Sequence, residues 1–365
     1  MDEYFKAAQH GDLEYFKTLT VNTNNEGKPT WTLNTQYDKS GDTVLHIAAR
    51  CGHLPLLQYL IDSGADIETS NLDGKRPLHE AAQAGQTGCV ESLLKAGAQV
   101  DSLKRADWTP LMLACTKDNE DVIRLLLKFG ASVHLRNKDG WTPFHIACRE
   151  GHINIVQLLF THDNSVWNTA SKNKRTPLHT AALHGCVPVV SFLLDKGSYP
   201  PDSKDSAGTT PLMDAIRSGH THVAETLISR QKASVYEEDN FGLQPLHLAA
   251  QSGCLTSVKF LVESLKVKVD SRSSKGFTAL FVAAKEGQLS VISFLVASGS
   301  DVNLTDNKGR TALHIAAGAQ HSKTCQFLLQ HRAVIKADNS GTTPDMLSRK
   351  PEVCRLFRNY QTPEK

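Results

Sequence analysis

Asn137-Lys138-Asp139-Gly140-Trp141-Thr142-Pro143-Phe144-His145-Ile146-Ala147-Cys148-Arg149-Glu150-Gly151 decides the fold of this chain. Asn137 to Gly140 is a turn, with glycine where a positive φ is needed. Thr142 is a good helix N-cap and Pro143 suits the first helical position, where no amide hydrogen is missed. Phe144, Ile146, Ala147 and Cys148 then form a compact apolar face, and Gly151 stops the helix as a C′ residue does. A second helix is predicted from about Ile153, with Ile155, Val156, Leu158 and Leu159 at helical spacing. Two short helices cannot bury such faces alone, so neighbours must supply the rest of the core.

The neighbours are copies. The word returns at Val44-Leu45-His46, Pro77-Leu78-His79, Pro110-Leu111-Met112, Pro143-Phe144-His145, Pro177-Leu178-His179, Pro211-Leu212-Met213, Pro245-Leu246-His247, Ala279-Leu280-Phe281, Ala312-Leu313-His314 and Pro344-Asp345-Met346. Its first positions lie 33, 33, 33, 34, 34, 34, 34, 33 and 32 residues apart. Composition cannot produce such a period; stacked structural units can.

Around this array the sequence predicts a capping half-repeat at 1–19, a polar insertion at 20–37 and ten repeats of 32–34 residues over 38–350. A cap helix at 351–360 and a disordered tail at 361–365 complete it. The half-repeat lacks the word but keeps Ala7-Ala8-Gln9-His10-Gly11, and Trp31 in the insertion reads equally well as a packing anchor or a binding residue. Asp107 and Lys174 stand where other turns have glycine, and Asp118 and Gln320 replace the helix-stop glycine. These departures read as drift.

The 365 residues carry a formal charge of +2, 40% hydrophobic and 21% charged residues, which fits a folded chain and gives nucleic-acid binding little support. Eight cysteines show no CxxC pair, so reduced, structural thiols and no metal site are expected. No signal core or membrane-length apolar window is present, which points to an intracellular protein, cytosolic or nuclear. The recurrent histidines (46, 79, 145, 179, 247, 314) are expected to bond neighbouring backbone, not metal or substrate. No nucleophile–base pair or phosphate loop recurs, so no catalytic residue and no cofactor are expected.

Thr-Pro-Leu-His at this period is the ankyrin pattern, and the chain resembles the ankyrin-repeat family over roughly residues 2–360. The resemblance implies an all-α ankyrin-repeat solenoid of ten repeats, capped by the N-terminal half-repeat and the C-terminal helix. It implies a non-enzymatic binder of protein partners, expected as a monomer. Turn tips differ in charge: Arg136-Lys138-Asp139 is +1 and Lys172-Lys174-Arg175 is +3, whereas Asp202-Lys204-Asp205 is −1 and Glu237-Glu238-Asp239 is −3. Trp108 and Trp141 follow matching turns and are expected either to stack as a ledge beside the basic tips or each to pack only its own turn; the first reading makes Arg105, Trp108, Arg136, Trp141 and Arg175 the candidate partner-binding residues.

More narrowly, the half-repeat with its insertion, the run Val100-Asp101-Ser102-Leu103-Lys104-Arg105-Ala106-Asp107-Trp108, the segment Lys138-Asp139-Gly140-Trp141, and Pro211-Leu212-Met213-Asp214-Ala215-Ile216 are similar to ankyrin-repeat co-regulators of alanyl-tRNA synthetase. That likeness implies binding to the synthetase's catalytic domain and capture of misactivated serine on lysines, in the service of translation fidelity. The matched acceptor positions are Arg105, Lys138 and Asn168; only Lys138 is a lysine, so Lys104, Lys172 and Lys174 join it as acceptor candidates. A generic adaptor for an unrelated protein is the alternative.

Overall fold

In the computed structural model the described residues are 3–19 and 32–361. Most of the expected insertion, with Trp31, and the last four residues lie outside them. The described chain is helical, without a β-strand; two isolated bridges, Lys104 to Trp108 and Thr305 to Thr311, are its only extended pairings. It divides into two compact units, 1–177 and 178–365.

The first unit is a series of helix pairs: Glu3–His10 with Leu13–Thr18, Val44–Cys51 with Leu54–Asp62, Pro77–Ala84 with Thr87–Lys95, Pro110–Ala114 with Glu120–Lys128, and Pro143–Glu150 with Ile153–His162. The second continues the pattern with Val187–Lys196 following the helix Pro177–Leu183, which begins at the division. Pro211–Arg217 then pairs with Thr221–Gln231, and Pro245–Ser252 with Leu255–Lys259, which runs on as a π-turn over Phe260–Ser264. Ala279–Glu286 pairs with Leu289–Ala297, and Ala312–Gly318 with Ser322–Gln330. The tenth word opens no α-helix: Asp345 in place of leucine removes the apolar anchor, and only a 3-10 turn, Asp345–Leu347, precedes the helix Pro351–Gln361. That helix takes in Gln361, one residue beyond the expected cap.

Each first helix is closed as its sequence dictates. Thr142 Oγ1 accepts from the His145 amide, and His145 Nδ1 accepts from the Thr142 amide, a reciprocal cap. The other ring nitrogen, Nε2, then carries the proton and donates to the Arg175 carbonyl of the next repeat at 3.2 Å. The same clip joins His46 to Lys75, His79 to Trp108, His179 to Thr209, His247 to Phe277 and His314 to Thr342. Each such bond contributes about 1 kcal/mol to the join between repeats. Only the neutral imidazole satisfies both partners, and burial pushes the His46, His247 and His314 rings below the usual histidine range and His79 down to about 4.

The core lies between these helices. Leu45, Leu57, Leu78, Leu93, Phe144, Ile155, Cys115 and Cys148 are all fully buried in the first unit, the two thiols acting as small apolar groups. Residues 32–37, the end of the expected insertion, make defined contacts: Tyr37 starts the first turn by donating to the Asp42 carbonyl at 2.8 Å, and Asn34 Oδ1 accepts from the Asp66 amide. Without a residue at positive φ at 118, the helix Pro110–Ala114 ends early, in a run of turns. Gln320 is no idle departure either. It takes φ 63° and its side chain accepts from the Arg349 and Lys350 amides while donating to the Leu347 carbonyl, which fastens the C-terminal segment.

Candidate functional site

The turns before each first helix form hydrogen-bonded tips. Asn137 donates to the Trp141 carbonyl at 3.0 Å, and its side-chain oxygen accepts from the Asp139 and Trp141 amides. Gly140 sits at φ 81°, where a Cβ would stand 2.6 Å from the Lys172 amide nitrogen. Glycine there lets successive tips touch, and they do so through one backbone bond each: Arg105 to the Asp73 carbonyl, Lys138 to Ala106 and Lys172 to Asp139, at 3.2, 2.9 and 3.0 Å.

This ladder places Arg105, Lys138 and Lys172 at equivalent positions on three successive tips. Asn168, matched on sequence, stands elsewhere: it caps the 3-10 turn Asn164–Trp167 at the end of the preceding helix. Lys172, and not Asn168, stands five residues before the proline of its repeat word, as Lys138 and Arg105 do. Lys174 keeps the left-handed conformation of the glycine it replaces, at φ 58°, and Asp107 follows Ala106 into the same region at φ 60° and 63°.

The tryptophans do not stack on one another. Lys104 Nζ lies 5.5 Å over the Trp108 ring, and the Arg149 guanidinium lies 5.6 Å over that of Trp141. Each ring is half-buried with a cation on its face, an arrangement worth about 0.5–1 kcal/mol where water still reaches it. The sequence reading missed Arg149; its place in the last turn of the helix that Trp141 precedes was the available signal. Trp141, Lys172 and Arg175 come together with Asp139, Ser171 and Asn173 around a hollow of about 320 Å³. Arg136 does not line it. Its guanidinium bonds the Gly140 and Ala170 carbonyls, bracing its own tip against the next chain segment.

Charge is used differently on the basic and acidic tips. Lys138, Lys172 and Lys174 are exposed and make no ion pair among the described residues. Lys104 is partly buried, and burial, helped by the nearby Lys75 charge, holds its amine below the ordinary lysine range. The acidic tip is spent internally: Glu237 pairs with Lys204 at 2.9 Å, Glu238 accepts from the Ser274 amide, and Asp239 accepts from the Phe241 and Leu243 amides. Net counts of −3 and +3 therefore overstate the acidic side as a binding surface.

Among the described residues no group of three or more His, Cys, Asp or Glu is arranged to hold a metal ion, and no helix is long and apolar enough to cross a membrane. The eight cysteines are not joined by disulfides. Comparison with protein families gives one match that spans the chain: a model described as Ankyrin repeats (3 copies) aligns with residues 5–104, 100–170, 164–239, 230–306 and 296–361.

Proposed function

Because the chain belongs to the ankyrin-repeat family, a family of protein-binding scaffolds, we propose that its partner is alanyl-tRNA synthetase, engaged through the tips of Arg105, Lys138 and Lys172. The order of its atypical features is similar to that of ankyrin repeat domain-containing protein 16. The observation that carries the proposal is the register of the three tips, which sets exposed lysines beside half-buried tryptophans on neighbouring repeats. Exposed cations around aromatic anchors are the composition of interface hot spots.

In this reading the lysines also intercept misactivated serine. A seryl-adenylate is a mixed anhydride: the amine attacks the acyl carbon, a C–N bond forms, the C–O bond to phosphate breaks, and AMP leaves with the electron pair while the amine sheds a proton. An ordinary lysine near pKa 10.4 is uncharged in only about one molecule in a few thousand at pH 7. Burial holds the Lys104 amine below the ordinary lysine range, which raises its uncharged fraction, and docking supplies proximity for all four lysines. The lysine is consumed, so the protein is a stoichiometric acceptor and not a turnover enzyme; it works in the cytosol or nucleus.

The test incubates the full chain with the synthetase, serine and ATP, and reads complex formation by sedimentation and seryl-lysine by peptide mass spectrometry. A complex with seryl adducts on these four lysines supports both parts. A complex without adducts removes the acceptor chemistry. Failure to form a complex removes the synthetase and leaves the scaffold for another protein.

A further inference from the structure

The second unit carries a groove that the tip chemistry does not use. It encloses about 950 Å³ and runs from the helix Pro211–Arg217 across Pro245–Ser252 and Ala279–Glu286 to Ala312–Gly318 and Leu347. Its floor follows from the residue after the histidine of the repeat word, which is Leu248, Val282 and Ile315 in three successive repeats. Leu248 and Val282 form one cluster with Met213 and Leu243, and Phe277 packs against it. Phe281 replaces the histidine of the word and stacks on Phe277 at 5.0 Å, with 14° between the rings. Above this floor Phe241 is 65% exposed, a large apolar side chain left to solvent at the groove's edge.

The charges at the rim differ in how far they are engaged. Asp239 and Asp338 face the groove, but their carboxylates accept from amides of their own turns, Phe241 and Leu243 for one, Ser340 and Thr342 for the other. Arg217 is held by Asp214, and Arg310 is held by Asp306 while lying 5.7 Å over the Phe281 ring. Lys275 makes no ion pair among the described residues, and Lys285 has only its exposed neighbour Glu286 at 3.8 Å. Apolar floor, aromatic lip and uncommitted lysines lie along several repeats, a length that suits a chain segment better than a compact metabolite.

We propose that this groove binds an acidic segment of a partner protein, which seats an aromatic or long aliphatic side chain against Phe241 and Phe277 and sets a carboxylate against Lys275 and Lys285. The surface is independent of the synthetase proposal and uses none of its residues. Selection of a random peptide display library on the full chain is the experiment, followed by affinities of the selected peptides, synthesised with a fluorophore, for the natural chain, Phe241→Ala and the double variant Lys275→Glu/Lys285→Glu. All three substituted residues are exposed, and denaturation curves check that folding is unchanged. Expected is enrichment of peptides pairing an aromatic or leucine-like anchor with Asp or Glu, and affinity lowered at least about tenfold by either variant. No enrichment, or peptides indifferent to both variants, overturns the proposal. So does a concentration-dependent dimer of the chain abolished by Phe241→Ala, which would make a second copy the occupant.

Discussion

At the position just after the left-handed turn residue, the repeats entering Pro110 and Pro143 carry Trp108 and Trp141, whereas those entering Pro245 and Ala279 carry Leu243 and Phe277. The first pair is capped by cations and flanked by exposed lysine tips; the second lines an apolar floor with its carboxylates spent on turn amides. The backbone frame is the same in both, down to the left-handed turn residue and the histidine clip. Position within the repeat therefore decides where a side chain points, and residue type alone decides whether that place is a charged tip or a greasy groove.

One position makes the contrast sharpest. After the histidine-equivalent residue stands Glu80 in one repeat, Asp214 in another and Leu248 in the next after that, all buried. Glu80 is matched by Arg50 and Lys75 at 3.5 and 3.2 Å, and Asp214 by Arg217 three residues on. Leu248 has Gln251 at that offset and packs in a cluster with Met213, Leu243 and Val282. Leu248→Asp should therefore cost about 3–5 kcal/mol, the range for a buried charge left without its partner. Adding Gln251→Arg should return at least about 1 kcal/mol, as expected for coupled neighbours. Urea denaturation of both variants measures it; equal stability of single and double variants would break the claim that the frame is shared.

The histidine clip provides the next largest effect. His79 is buried and its ring titrates at about 4, against 6.5 for a free histidine. The unfolded chain takes up this proton below about pH 6.5 and the folded chain only near 4, so stability is fully present above that window and lost through it as pH falls. The loss from this residue is about 3 kcal/mol at 1.36 kcal/mol per pH unit. His79→Met, the residue found at 112 and 213, should flatten the fall in urea midpoint between pH 7 and pH 4.5 without abolishing it, because His46, His247 and His314 remain. Phe281, having no ionisable ring, adds no histidine clip to this slope.

The period made the helices and their caps legible, because each depends on residues within one unit: Thr142 with His145, Gly151 at the stop. The candidate tips were half legible. Lys138 and Lys172 could be found, and their equivalence follows from the five residues that separate each from Pro143 and Pro177; the match to Asn168 departs from that register, as the backbone ladder makes plain. The cation on Trp141 and the groove were missed for one reason. Both join side chains from different turns of helix or different repeats, and a one-dimensional count of charge treats Glu237, Glu238 and Asp239 as free when each already has a partner.

If the two regions are separate surfaces, substitutions on one leave the other alone. Trp141→Ala should weaken the proposed binding to the synthetase by about 2 kcal/mol, the scale of a hot-spot aromatic, while Phe241→Ala changes it less than about twofold. Titration by calorimetry measures both; an equal loss from the two variants would merge the surfaces into one.

The smallest effect bears on why Lys174 stands where glycine would be easier. A non-glycine residue at φ 58° carries a backbone cost that Gly41, Gly74 and Gly140 avoid at the matching place, partly offset because glycine gains more freedom in the unfolded chain. Lys174→Gly should thus stabilise the chain by only about 0.5 kcal/mol, read as a small rise in urea midpoint. If the tip's charge is what the position retains, the same variant should bind the partner less tightly and show a weaker dependence on salt than the natural chain. A variant that is more stable and binds unchanged would make Lys174 a bystander, and move the weight of the basic tip onto Lys172 and Arg175.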